Sequence, residues 1–368
     1  RSKKRGDVQR VLEILASHGA PDEILFDSHP HIGTNKLPKV VQGIRESILR
    51  CGGEIHFSTR VEQLIIQQGH LSGVIDRENQ QHLAESVVLA TGHSARDIYQ
   101  MLNETGLQII QKPFAVGFRV EHPQELINTI QYHGYPKGVL PAASYALTHQ
   151  LRHSSKGVFS FCMCPGGFIV PASTAPGEVV VNGMSPSRRD SKYANSGIVI
   201  SVSEDDFRPF AKYGPLAGVY FQQSLEQTAC QAAGGTQSAP AQRLTDFMVN
   251  KVSSSLPENS YQPGVTSLSL QEILPKELCQ GIKKGFQAFG KKMKGYMTNE
   301  AILLGVESRT SAPVKIPRDH VTLQHPQLSG LFPCGEGAGY AGGIMSAALD
   351  GIRCGNAVAN AYQSKLSI

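Results

Sequence analysis

Apolar residues recur at helical spacing from the start of the chain. Val8, Val11, Leu12 and Leu15 lie three or four positions apart, with Asp7 placed to cap the helix and Gly19 and Pro21 marking its end. A second stripe, Leu37, Val40, Val41, Ile44 and Ile48, predicts a helix from near Thr34 to Gly52-Gly53. Extended patterns follow over residues 54–58, 61–66 and 71–76, the last two joined by a turn at Gly69. The run ESVVLATG then reads as a buried strand ending in Thr91-Gly92. Ser94 with Asp97 predicts a capping box ahead of a helix carrying Ile98, Met101 and Leu102.

Helix and strand alternate in this first third, which predicts an α/β layer structure. Residues 113–300 differ: they are rich in Gly, Pro and Ser, with short extended runs and a helix at 216–233, the mark of an inserted α+β domain. The α/β pattern returns in the last segment, so residues 1–112 and 301–368 are expected to form one domain around the insertion.

Composition narrows the class. At 368 residues, with an ordinary apolar share, the chain excludes collagen, coiled coil and low-complexity readings. The one excess is glycine, 37 residues, which predicts many turns or close backbone approaches to a ligand. The net charge of +5 is concentrated in Arg1, Lys3, Lys4, Arg5 and Arg10, and in Lys283, Lys284, Lys291, Lys292 and Lys294. The second group reads as the solvated face of a surface helix rather than a nucleic-acid patch, because Gly285, Phe286, Phe289 and Gly290 interrupt it. Seven cysteines without dense spacing point to a reduced intracellular compartment, and no apolar run is long enough to span a membrane.

The chemistry concentrates near the end of the chain. A strand at 331–334 leads into Gly335, Glu336, Gly337, Ala338 and Gly339, then Gly342 and Gly343, and a helix of small residues starts at Ile344. Strand, glycine loop and helix let backbone N–H groups and the positive helix end approach an electron-accepting or anionic group. Gly337-x-Gly339-x-x-Gly342 satisfies the dinucleotide fingerprint, but no second strand with an acid about 20 residues on follows it. The loop is therefore expected to face another part of a bound cofactor than its pyrophosphate.

These strings resemble a known family. LFPCGEGAGYAGGIMSAALDGIR resembles the C-terminal flavin-binding motif of FAD-dependent oxidoreductases of the glutathione-reductase-like superfamily, and VVLATGHSARD resembles that superfamily's second motif. PHIGTNKL, PFAVGFRVEHPQELI, FSFCMCPGG, NGMSPSRRDS and GVESRTSAPV are similar, in order, to an uncharacterised family of FAD-dependent dehydrogenases of bacteria and plastids. The resemblance implies an FAD-binding Rossmann-like domain completed by the C-terminal strand and helix. In the family the first fingerprint lies upstream of RSKKRGD, where this chain begins, so the first βαβ unit is expected to be missing and FAD to be held weakly without it.

By the same resemblance, Gly335, Glu336, Gly337, Ala338 and Gly339 line the flavin, with Gly342, Gly343 and Ile344 near its pyrimidine. Thr91 and Gly92 border the diphosphate or ribose, and Val61 meets the adenine through its backbone. Hydride transfer through flavin N5 is the implied chemistry, with NAD(P)H a candidate diffusible reductant and an unknown small molecule as substrate.

The substrate side is less defined. Arg309 reads either as an anion clamp or as a structural ion pair with Glu307 or Asp319; His93 either reaches the flavin or is satisfied by backbone. Arg188, Arg189 and Asp190 fit loop salt bridges or a substrate lip. Cys162 and Cys164 invite a dithiol reading that strand alternation disfavours, and His29 with His31 lacks a third metal ligand at sensible spacing, so no metal is expected. The rival readings are a flavin-binding or assembly protein without turnover and an RNA-modifying flavoprotein. The expected setting is soluble and intracellular, plastid stroma or bacterial cytoplasm.

Overall fold

The structure, a computed structural model, describes residues 6–133 and 140–366; the basic residues Arg1, Lys3, Lys4 and Arg5 lie outside the described residues. The Asp7 carboxylate accepts from the Arg10 amide and starts α1 (Val8–Ser17). Its Leu12 packs with Ala20, Ile24 and Val40, the last from α2 (Leu37–Arg50). α2 begins three residues after Thr34, because the Thr34 amide and hydroxyl both donate to the Ser185 carbonyl and hold that residue outside the helix. Of its apolar stripe Val40 is buried and Ile44 packs against the same cluster, while Val41 and Ile48 are exposed.

The antiparallel strands β1 (Val61–Gln67), β2 (His70–Asp76) and β3 (Gln81–Leu83) make a small sheet in that order. Residues 54–58 are not a strand: Ser58 takes a left-handed φ of 57° and turns the chain, and Glu54 and His56 pair with each other. β4 (Val87–Leu89) and α3 (Arg96–Glu104) follow. Ser94 does not cap α3, whose N-cap residue is Ala95; its hydroxyl accepts from Arg309 instead.

β5 (Ile110–Gln111) ends the first segment, and the insertion comprises β6 (Phe114–Pro123), α4 (Gln124–Tyr132), β7 (Thr148–Gln150), β8 (Gly157–Cys164), β9 (Phe168–Pro171), β10 (Val181–Met184), β11 (Tyr193–Val202), α5 (Ala217–Ala232), β12 (Ala239–Arg243), α6 (Leu244–Met248), β13 (Val265–Ser267) and α7 (Lys276–Lys292), with β14 (Ile302–Glu307) following. Seven of these strands form one mixed sheet in the order β13, β12, β14, β6, β11, β8, β7, antiparallel except for the β12–β13 pair. β14 is an interior strand, so the sheet runs past the boundary expected at residue 300. α5 and α7 cover it with Phe221, Leu225, Ile282 and Phe286, and Gly281 and Gly285 let α7 approach Ile200 and Val158.

The chain returns through β15 (Val314–Lys315), β16 (Leu331–Pro333) and α8 (Ile344–Leu366). β16 lies parallel to β4, with Leu331, Phe332 and Pro333 opposite Val87, Val88 and Leu89. β15 pairs with β5, and Leu71, Leu89, Tyr99, Val314, Leu331 and Ala338 share one core. Strands from the two ends of the sequence thus pair with each other, and the core they share also takes in Leu216 and Val219. The protein is mixed α/β, and among the described residues no helix is long and apolar enough to cross a membrane.

Candidate functional site

Because β4 and β16 run parallel side by side, the loops that leave them emerge at the same edge, where open α/β sheets bind ligands. The two loops meet backbone to backbone. A Cβ at Gly337 would collide with the Gly92 carbonyl, so glycine is required there, and Gly92 itself has a left-handed φ of 72°. The Tyr99 hydroxyl donates to the Gly337 carbonyl at 2.9 Å, and burial raises its pKa. His93 Nδ1 lies 3.0 Å from Glu336 Oε1, which joins two residues expected at the cofactor and leaves His93 satisfied by a side chain rather than by backbone.

The glycine loop is also tied to the helix it precedes. The Gly335 amide donates to Asp350 Oδ2 at 2.8 Å, and Arg318 makes two bonds to the same carboxylate, at 2.9 and 2.5 Å. Burial would push Asp350 up, but these bonds outweigh it and hold the carboxyl low. Cys334, Asp350 and Cys354 lie within 4.8 Å of one another, yet Arg318 also donates to Cys354 at 3.3 Å, so a guanidinium already fills this cluster. Arg318 stacks on Tyr340 at 3.7 Å, which fixes the far side of the loop.

The start of α8 is open. Gly342, Gly343 and Ile344 are exposed, positions 342 and 343 have nothing within 4 Å of where a Cβ would sit, and the first turn of the helix carries no acid. Beside it lies a cleft of about 770 Å³, lined by Lys112, Ser311, Gly339, Tyr340, Ser346 and Arg353. Lys112 donates to Ser311 Oγ and the Ala312 carbonyl; burial lowers its pKa, and the charge of Glu336 opposes that shift. Across the same turn a second cavity, about 330 Å³ and mostly apolar, is lined by Ile344 and Met345 together with His31, Cys164, Met184 and Arg189.

The remaining predicted residues fall elsewhere. Val61 opens β1 opposite Asp76, and among the described residues no hydrogen bond joins it to the glycine loop; its neighbour Arg60 pairs with Asp97 of α3 at 3.1 Å. Thr91 is exposed at the loop edge. Arg309 is not available as an anion clamp. Nε and Nη2 bind Glu226, Nη2 also binds Glu178, and Nη1 binds Ser94 and Thr174, so every donor is taken. Its partners are not Glu307, which pairs with the buried Arg119 at 2.6 Å, nor Asp319. Arg96 enters the same network through Glu178 and Glu226. Burial would raise Glu226, but the two arginines hold it low.

Cys162 and Cys164 are free thiols, both pushed up by burial, Cys162 to about 11. Of the basic helix α7, Lys283 binds Asn250 and lies over the Phe247 ring, and Lys292 binds the Thr148 carbonyl. The sequence reading missed the apolar cavity. The signal was present in two strings, PHIGTNKL and NGMSPSRRDS, that are hydrogen-bonded to each other through His31, Thr34 and Asn35.

An oxidoreductase from Methanosarcina mazei aligns over 87% of this chain and 54% of its own at 13% identity, with a TM-score of 0.34. CtdE, solved in complex with FAD and a substrate, aligns over 85% of this chain and 53% of its own at 10% identity, with a TM-score of 0.30. Both likenesses are too distant to assign a role. An uncharacterized protein of Clostridium beijerinckii is 45% identical over 348 residues, which is 93% of this chain and 64% of that protein, so the chain spans under two thirds of this relative. Residues 113–310, more than half of the chain, match the family described as "FAD-dependent protein, C-terminal domain-like", and the chain belongs to that family.

Proposed function

We propose that the protein is an FAD-dependent oxidoreductase acting on a small molecule, with the flavin held where the loops after β4 and β16 meet. The observation that carries this reading is the backbone contact of Gly337 with Gly92 at the ends of two parallel strands, beside an open helix start. Gly335, Glu336, Gly337, Ala338, Gly339, Gly342, Gly343 and Ile344 would hold the flavin, with Thr91 and Gly92 on the adjoining loop. The cleft fits such a group: glycines without neighbours at their Cβ positions leave room, and Lys112 and Arg353 give it positive walls.

When bound, the flavin supplies hydride acceptance. The chain's own residues position it. The unneutralised first turn of α8 favours negative charge at the flavin's pyrimidine side. The His93–Glu336 contact locks the two loops to each other. Arg309 acts through the Ser94 loop rather than on substrate. The membership of an FAD-dependent family supports the cofactor, and the cavity across the first turn of α8 offers a place for the substrate, with NADH or NADPH as a diffusible reductant.

The test is equilibrium dialysis of the purified protein against FAD, with the bound flavin read from its visible spectrum and then exposed to anaerobic NADH or NADPH. Bound flavin that is bleached by either nucleotide is the expected result. A protein that binds no FAD overturns the proposal, and one whose bound flavin no nucleotide or organic substrate reduces is a binding protein without turnover.

A further inference from the structure

Buried arginines in this protein come with their anions. Arg96 and Arg309 share Glu178 and Glu226, Arg119 has Glu307, and Arg318 has Asp350. Arg189, on the wall of the apolar cavity, is different. Its Nε is buried with no hydrogen-bond partner, and among the described residues its guanidinium makes no ion pair. A half-buried guanidinium with an unsatisfied donor is costly unless something complements it.

The backbone holds this side chain in place. Arg189 takes a left-handed φ of 53°, its amide donates to the Pro186 carbonyl at 3.1 Å, and its carbonyl packs where a Cβ of Gly166 would collide. Neighbouring groups leave it as the cation of the cavity. The Pro186 carbonyl can only accept, so the His31 Nε2 that lies 3.0 Å from it carries the proton and Nδ1 keeps its lone pair. Burial lowers the His31 pKa and Arg189 opposes its charging, so the ring adds no positive charge. Cys164 is held as a neutral thiol. Asp27, whose field reaches Arg189, is exposed and does not line the cavity.

Most of the remaining side chains on the wall are apolar, among them Leu12, Leu15, Ile24, Leu37, Met163 and Met184, with the neutral hydroxyl residues Thr34 and Ser185, and Ile344 and Met345 line it at the start of α8. We propose that this cavity binds an amphiphilic monocarboxylate, its apolar body among these side chains and its carboxylate on the fork of Arg189, as the substrate class of the protein. A carboxylate matches the guanidinium fork and brings the single negative charge that one arginine balances; a doubly charged phosphate monoester would leave a charge uncompensated in an apolar site. As a substrate site the assignment rests on the flavin reading; as a binding site it does not.

Calorimetric titration with octanoate, octanamide and octyl phosphate tests it. Octanoate binds at least tenfold more tightly than octanamide and more tightly than octyl phosphate. Arg189→Gln loses about ten- to a hundredfold in octanoate affinity with octanamide unchanged, in line with a charge-assisted bond, and Arg189→Lys keeps part of the preference. Equal binding of octanoate and octanamide by the unmodified protein overturns the proposal without any variant, as does tighter binding of octyl phosphate, or a folded Arg189→Gln protein that still prefers octanoate. Flavin retention is read separately from the visible spectrum. A colourless protein that selects octanoate removes the oxidoreductase reading alone, and a yellow one that does not select it removes this inference alone.

Discussion

At Gly337 the missing side chain is a packing requirement, since any Cβ runs into the carbonyl of Gly92. Gly337→Val is therefore expected to push the two loops apart and lose flavin retention, whereas Glu336→Gln, which keeps an acceptor for His93, retains it; equilibrium dialysis with FAD measures both. The glycine was legible in the sequence because bulk at a close approach leaves a spacing pattern. The role of Arg309 was not legible, because its partners Glu178 and Glu226 are 131 and 83 residues away and no local pattern encodes them. Arg309→Gln leaves two buried carboxylates with one arginine, and removing one member of a buried ion network costs about 3–5 kcal/mol. A large fall in melting temperature is expected; a variant as stable as the parent but with weakened substrate binding would restore the anion-clamp reading.

Among the elements, β16 and α8 were the clearest from sequence and hold the site. The glycine loop between them has turn chemistry that no core packing overrides. The expected strand at 54–58 failed because its extended pattern ignored the left-handed Ser58, and the capping box at Ser94 failed because a distant arginine claimed the hydroxyl. The anchor between loop and helix, Asp350, was likewise invisible: it sits fifteen residues after Gly335, whose amide it accepts, and its second partner, Arg318, lies before β16. Asp350→Asn strands the Arg318 charge and weakens the acceptor for Gly335. Thermal unfolding should show a loss on the order of 3 kcal/mol, with faster FAD release. Unchanged release would mean that the loop is held by Tyr340 and Gly337 alone.

Across the whole molecule, buried polar groups titrate, and two of them sit inside the insertion, Glu121 against Ser260 and His122 against the Tyr296 carbonyl. Glu121 and His122 are adjacent on β6. Burial pushes Glu121 up to about 7 and His122 down to about 4. For Glu121 the folded state holds its proton more tightly, so its contribution is present at acid pH and lost as pH rises from about 4.5 to about 7. For His122 the folded state holds the proton less tightly, so its contribution is present above 6.5 and lost as pH falls towards 4. The two slopes oppose each other in the parent protein. Glu121→Gln should leave a melting temperature that climbs with pH between about 4 and 6.5, and parallel curves for variant and parent would contradict the assignment.

The fold class followed from the alternation of helix and strand. The apolar cavity was not legible, because its walls come from α1, α2, β8, β10, the 185–189 loop and α8, which only the folded chain brings together. The central claim is that the joined loops hold a flavin, and the most direct measurement is the visible absorbance, above that of the dialysate, of protein dialysed to equilibrium against FAD, with Gly337→Val beside it. A flavin band in the parent that is lost in the variant is the predicted result. A colourless parent, or a variant that keeps the band in full, would contradict it.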